Sequence, residues 1–139
     1  MYEAILVGMD DSEQAERALE HALSLAEATD ATVHVVTVVE SAGSPMRFGI
    51  ADVEDLNEAA EGLVDDVVGA YDGQDVDIRG DVRRGKPAEA LTEYADDVGA
   101  DLLVVGQRGA DGVTGTILGS TADRLARTAE VPVTIVPAA

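Results

Sequence analysis

The residues best able to do chemistry sit in two short stretches. From Gly106 to Thr121 the chain reads GQRGADGVTGTILGST, with glycines at 106, 109, 112 and 115. A Gly119-Ser120-Thr121 run then opens a segment of helical spacing. Glycine lets a backbone N–H approach an anion with no Cβ in the way. The first turn of a helix adds unpaired N–H donors and the positive end of its dipole. Together these suit a phosphate. The N–H groups of Gly109, Gly119, Ser120 and Thr121 would hold it, and the Ser120 and Thr121 hydroxyls would add donors. Arg108 would pair with the phosphate charge, or stand exposed in its loop. The second stretch is Asp10-Asp11-Ser12. Asp11 or Ser12 caps the helix that follows, and Gln14 is placed to complete a capping box from Asp11. That leaves Asp10 for a ligand, to hydrogen-bond a base or ribose or to help hold Mg²⁺.

Other chemistries find no residues. There is no cysteine, which excludes disulfides and thiolate metal sites. His21 and His34 stand alone, one on a helix and one in an apolar strand, and read as structural. No Ser–His–Asp set can be placed with the glycine loop. Of the four aromatics, Tyr2, Phe48, Tyr71 and Tyr94, only Phe48 falls in a loop near the expected ligand side, too little to stack a flavin. The stretch GDVRRGKP, Gly80 to Pro87, matches the P-loop pattern up to its last position, where Pro87 replaces the Ser or Thr that would hold Mg²⁺. It also begins inside a polar strand, so it is set aside. Any reaction here would be phosphoryl transfer or hydrolysis, and no general base is committed to it.

The elements that must position these residues follow from periodicity. Tyr2 to Val7 is an apolar strand running into Gly8. Ala15, Ala18, Leu19, Ala22, Leu23 and Ala26 mark one face of a first helix. Thr32 to Val39 is an almost wholly apolar strand, as expected when both faces are buried. Residues 40–50 read as a loop, and Val53 to Tyr71 as a second helix. From Gln74 to Arg83, Val76, Ile78 and Val82 alternate with Asp77, Arg79 and Asp81, the pattern of a half-exposed edge strand. Gly85-Lys86-Pro87 turns into a third helix with Ala88, Leu91, Ala95 and Val98 inward. The Leu102–Val105 strand, the glycine loop, a fourth helix with Ala122, Leu125, Ala126 and Ala129 inward, and a last strand Val133–Val136 complete the chain.

Strand and helix alternate four times before the last strand, which predicts an α/β fold: an open five-stranded parallel sheet with helices on both faces, Rossmann-like. The polar third strand belongs at an edge, which selects the order 3-2-1-4-5. The topological switch then lies between strands 1 and 4. Ligands bind beyond the C-terminal ends of the strands at such a point, here Gly8-Met9-Asp10 and Gly106.

At 139 residues the chain reads as a single domain spanning 1–139. No apolar run reaches a membrane span and no signal peptide opens the chain, so the expected location is cytoplasmic. Acidic residues number 28 against 9 basic, a net charge of −19. Such a field opposes nucleic acid and anionic membranes. An acidic partner-binding face is one source of this excess. The spread of acids over every segment, with Lys86 the one lysine, favours the other, a halophilic surface. It carries the expectation that the fold is lost as salt is lowered.

Gly106, two residues, Gly109, nine residues, Gly119 and Ser120 resembles the G-x2-G-x9-G-(S/T) nucleotide motif of the universal stress protein (UspA-like) family. ILVGMDDSEQAERAL resembles that family's first strand and helix, Gly85–Leu91 its turn into helix 3, and Val131–Val136 its ending. The resemblance implies the same sheet order, a homodimer pairing the last strand, Val133–Val136, of each subunit, and an ATP site. It implies adenine near Gly8, Met9, Asp10 and Val38, and the triphosphate over Gly106, Gly109, Gly119, Ser120 and Thr121. Gln107 stands where Ser is common and Thr121 where an apolar residue is common, which would shift contacts and keep the cradle. The function expected is an ATP-binding stress-response or signalling module whose occupancy changes its dimer or partner interactions. The alternatives are a slow ATPase or phosphotransferase using Asp10 and Mg²⁺, and a nucleotide-free dimerising scaffold.

Overall fold

A computed structural model describes residues 2–40, 50–71, 73–107 and 118–137. The elements run β1 (Ala4–Gly8), α1 (Glu13–Thr29), β2 (Thr32–Val39), α2 (Ile50–Ala70), β3 (Ile78–Arg84), α3 (Pro87–Val98), β4 (Leu102–Gly106), α4 (Ser120–Thr128) and β5 (Val133–Val136). The sheet has the order β3-β2-β1-β4-β5, and every pairing is parallel. This is the order expected from the polar alternation of the third strand.

Successive strand residues point to opposite faces, and each face has its own core. Ile5, Val7, Val33, Val35, Leu102 and Val104 pack under Ala15, Ala18, Leu19 and Ala22 of α1. Leu6, Val36, Leu103 and Val105 pack under Leu91 and Tyr94 of α3 and Ala122 and Leu125 of α4. β1 and β4 are apolar throughout, and β2 nearly so apart from its threonines and His34, because both of their faces are covered.

Local chemistry accounts for the element ends. Ser12 is the N-cap of α1, its Oγ accepting from the Ala15 N–H at 3.2 Å. The box expected from Asp11 to Gln14 is therefore not the cap used: three residues beyond Ser12 stands Ala15, which has nothing to bond back. Ser12→Ala should cost about 1 kcal/mol in urea unfolding. α3 ends at Gly99, in the left-handed region at φ 67. The third strand starts later than the alternation suggested, at Ile78, with Val76 already buried in the core before it. Ala126 faces solvent rather than the core. The stripe that α4 buries runs through Ala122, Leu125 and Ala129, and Ala126 falls at its outer rim.

Asp101 ties β1 to β4. Its Oδ2 accepts from the Glu3 N–H at 2.7 Å and the Ala4 N–H at 3.1 Å. These two backbone donors, Glu3 first, hold the Asp101 carboxyl below the usual carboxylate range. A depressed pKa contributes stability that is present at neutral pH and is lost as the pH falls through the folded value. Asp101→Asn should thus cost about 1 kcal/mol at neutral pH. The gap from wild type, read by urea unfolding, should close below about pH 4.

The loop expected over 40–50 falls outside the described residues except at its two ends, and with it Phe48. Arg108, Gly109, Gly112 and Gly115 also lie outside them. Among the described residues no helix is long and apolar enough to cross a membrane.

Candidate functional site

Parallel strands of equal polarity end together, and here β1 and β4 end on either side of the switch point, their helices leaving to opposite faces. The result is a cleft of about 380 Å³ above those ends. Gly8, Met9 and Asp10 line it from β1, Val36, Val38 and Glu40 from β2, and Gly106 and Gln107 from β4. Gly119, Ser120 and Thr121 line it from the start of α4, and Pro87 and Leu91 from the start of α3. All the candidate residues named from the sequence and described in the structure therefore meet in one cleft.

Each wall has a local cause. The Met9 N–H donates to the Val36 carbonyl at 2.8 Å, which continues the β1–β2 ladder one residue past Gly8 and seats the Asp10 turn beside β2. Ser12 does double duty: its hydroxyl accepts from Ala15 and donates to Asp10 Oδ1. The helix cap thereby orients the carboxylate at the cleft.

Gln107 is a backbone bracket. Its N–H donates to the Val136 carbonyl at 2.8 Å, and its carbonyl accepts from the Gly119 N–H at 2.7 Å. The start of α4 is thus pinned to the end of β4. The Gly119 N–H, expected to face a phosphate, is committed to this bracket. The first intrahelical bond of α4 runs from the Asp123 N–H to the Gly119 carbonyl at 2.9 Å. Ser120, Thr121 and Ala122 therefore have N–H groups with no acceptor within the helix. Gly119, the N-cap, brings no side chain to them. Those donors, the two hydroxyls and the positive helix end make this the side of the cleft whose chemistry suits an anion.

The opposite side carries carboxylates, Asp10 and Glu40, and an apolar wall of Met9, Val36, Val38 and Leu91. The cleft is thus polarised, with anion donors at α4 and acceptors with apolar contact toward β2. Among the described residues no three side chains of metal-ligating type come together. Asp10 alone would hold Mg²⁺ only together with ligand phosphates, the usual arrangement for that ion.

Gly106 lines the cleft and also has a packing role. A Cβ there would lie 2.7 Å from the Gln14 Cβ and 3.0 Å from the Gln14 carbonyl carbon. Its smallness lets α1 sit on the end of β4. Gly80, in the stretch resembling a P-loop, likewise makes room for Val64 and Val68 of α2.

Sequence reasoning missed Val36, Glu40, Pro87 and Leu91. The one signal for the last two was the Gly85-Lys86-Pro87 turn, held to β2 by the Gly85 N–H donating to the Val39 carbonyl at 3.0 Å.

Comparison with known proteins agrees with this fold. The model of the universal stress protein family matches residues 1–137. Universal stress protein G of Shigella flexneri is 32% identical over 143 residues, spanning 98% of this chain and 99% of the relative. A crystal structure of a universal stress protein family member from Burkholderia pseudomallei is 30% identical with a TM-score of 0.80, covering 99% of this chain and 97% of that one. A universal stress protein crystallised in complex with cAMP is 31% identical with a TM-score of 0.71, covering 97% of each chain. The match extends over nearly the whole chain in sequence and in three dimensions, and the chain belongs to the universal stress protein family.

Proposed function

We propose that the cleft binds an adenine nucleotide, ATP foremost, and that occupancy changes how this stress protein pairs with itself or with partners. The observation that carries this reading is the polarised cleft. A helix N-terminus with three N–H groups lacking a helical acceptor faces the Asp10 turn across the switch point. The cAMP complex of a relative 31% identical supports an adenine ligand. The phosphates would lie over Gly109, Ser120 and Thr121, with Gly119 and Gly106 shaping the floor and Arg108 adding charge. The base and ribose would lie against Gly8, Met9, Asp10 and Val38. Mg²⁺ would arrive with the phosphates and take Asp10 as its protein ligand. Calorimetry with ATP, AMP and cAMP in concentrated KCl tests the reading. Binding of ATP with Mg²⁺ is the expected result, and no heat with any of the three would overturn it.

The homodimer would form through β5. Its inner edge pairs with β4, and Val133 and Ile135 are half-buried. An apolar edge strand invites pairing with a second copy. Charge sets the conditions. Asp65, Asp66, Asp96 and Asp97 are exposed on α2 and α3, and a net charge of −19 makes the compact state repel itself. Salt screens that repulsion. The thermal midpoint should climb steadily with added KCl, and a midpoint unchanged from dilute buffer to molar salt would count against a halophilic surface.

A further inference from the structure

Beyond the cleft, one buried group has no role in ligand contact. His34, in the middle of β2, is 8% exposed, and its Nδ1 is buried with no hydrogen-bond partner among the described residues. It points to the α3 side of the sheet, the same side as Val36 and Val38 of the cleft wall. The Tyr94 ring of α3 meets the imidazole edge-on, with centroids 6.0 Å apart at 66°. The Arg83 guanidinium of β3 lies 4.7 Å from the centre of the Tyr94 ring. Arg83 also reaches Asp81 at 3.4 Å and Asp97 of α3 at 3.8 Å. This stack joins β2, β3 and α3. Leu91, one turn before Tyr94, and Pro87, one turn earlier again, line the cleft.

We propose that His34 is a proton sensor for this cleft: its protonation loosens α3 from β2 and β3 and thereby weakens ligand binding at Pro87 and Leu91. The affinity half of this statement rests on the nucleotide reading above.

The chemistry follows from what surrounds the ring. A neutral imidazole leaves Nδ1 as a bare acceptor, a modest cost. The protonated ring places an N–H there, buried and with no acceptor, which costs much more. It also adds a cation beside Arg79, whose charge already disfavours one on the ring. Arg79, its register partner on β3, and Arg83 are both positive. The nearby carboxylates are engaged: Asp77 with Arg79 at 3.2 Å, and Asp81 and Asp97 with Arg83. β1 brings only Leu6 opposite the ring. Burial, then Arg79, pushes the His34 pKa down, and Asp77 opposes them in part. With a depressed histidine pKa, the packing is fully stable above the ordinary value, about 6.5, and loses stability as the pH falls below it. The way to relieve the buried proton is to open the contact with Tyr94, the element that carries the cleft wall.

Amide hydrogen exchange of α3, corrected for intrinsic rates, and ATP affinity are to be followed from about pH 8 to about pH 5 in concentrated KCl. In the wild type, protection of α3 should fall by roughly fivefold or more over this range, and ATP affinity should fall with it. His34→Phe keeps an aromatic edge against Tyr94, and His34→Gln serves should Phe disturb packing. Both should flatten the two profiles. Profiles in either folded variant that match the wild type would overturn the sensor. If ATP binds at no pH, the nucleotide reading fails, and the exchange of α3 alone decides the sensor.

Discussion

Gly119→Val is expected to weaken ATP binding about 100-fold, close to 2.7 kcal/mol, while leaving the fold in place. The backbone at Gly119 has φ −65 and ψ 160, an extended conformation that valine adopts freely, so no strain arises there. The Gly119 N–H keeps its bond to the Gln107 carbonyl, because the substitution leaves the backbone unaltered. The new branched side chain instead sits beside the Ser120 and Thr121 N–H groups that lack a helical acceptor, on the wall proposed for the phosphates. Stability should drop by no more than about 1 kcal/mol, the difference between glycine and valine as an N-cap. Ser120→Ala, which removes a hydroxyl and keeps the backbone donor, should cost only about tenfold in affinity, about 1.4 kcal/mol. Calorimetry on the two variants reads the ranking. Equal and small losses would mean that the phosphates lie elsewhere.

Gly106→Ala is expected to do the reverse, destabilising the fold by about 2 kcal/mol through overpacking. The added methyl would meet the Cβ and the backbone of Gln14, at 2.7 and 3.0 Å. Backbone cannot rotate away, and α1 is locked to the sheet by Ala15, Ala18, Leu19 and Ala22. The control is Gly8→Ala, at the matching end of β1. Its new methyl would meet Leu91 Cδ1 at 3.1 Å and Val105 Cγ1 at 3.2 Å, both the ends of side chains that can shift. That change should cost under about 1 kcal/mol. Urea unfolding of the pair decides the matter. A fully stable Gly106→Ala protein that fails only to bind ligand would show that this glycine serves the ligand and not the packing of α1.

Much of this molecule was legible because the deciding information is local or periodic. Apolar runs in β1, β2 and β4 mark strands covered on both sides. The alternation of Ile78 and Val82 with Arg79 and Asp81 marks an edge, since only an edge strand keeps one face wet. From that single contrast the order β3-β2-β1-β4-β5 and the switch point follow, and with them the meeting of the Asp10 turn with the Gly119-Ser120-Thr121 helix start. Turn and cap chemistry were legible for the same reason, although the choice between Asp11 and Ser12 as cap needed the geometry.

Tertiary structure decided what each small or polar residue is for, because those uses depend on neighbours distant in the chain. Gly106 yields to Gln14, 92 positions earlier, and Gly80 to Val64 and Val68. The Gly119 N–H serves the Gln107 carbonyl across a loop of unrelated composition. Pro87 and Leu91 reach the cleft because α3 crosses the sheet face there, which no spacing along α3 announces. His34 read as a lone structural histidine. Only the packing of α3 brings Tyr94 to it, with Arg83 of β3 on the same ring, and only burial makes a proton on it costly. The sequence by itself thus determined the scaffold and the two halves of the site, through periodicity, polarity and capping. The fold alone decided which donors are spent on structure and which remain for a ligand, because hydrogen bonds and steric contacts are settled between elements and not within them.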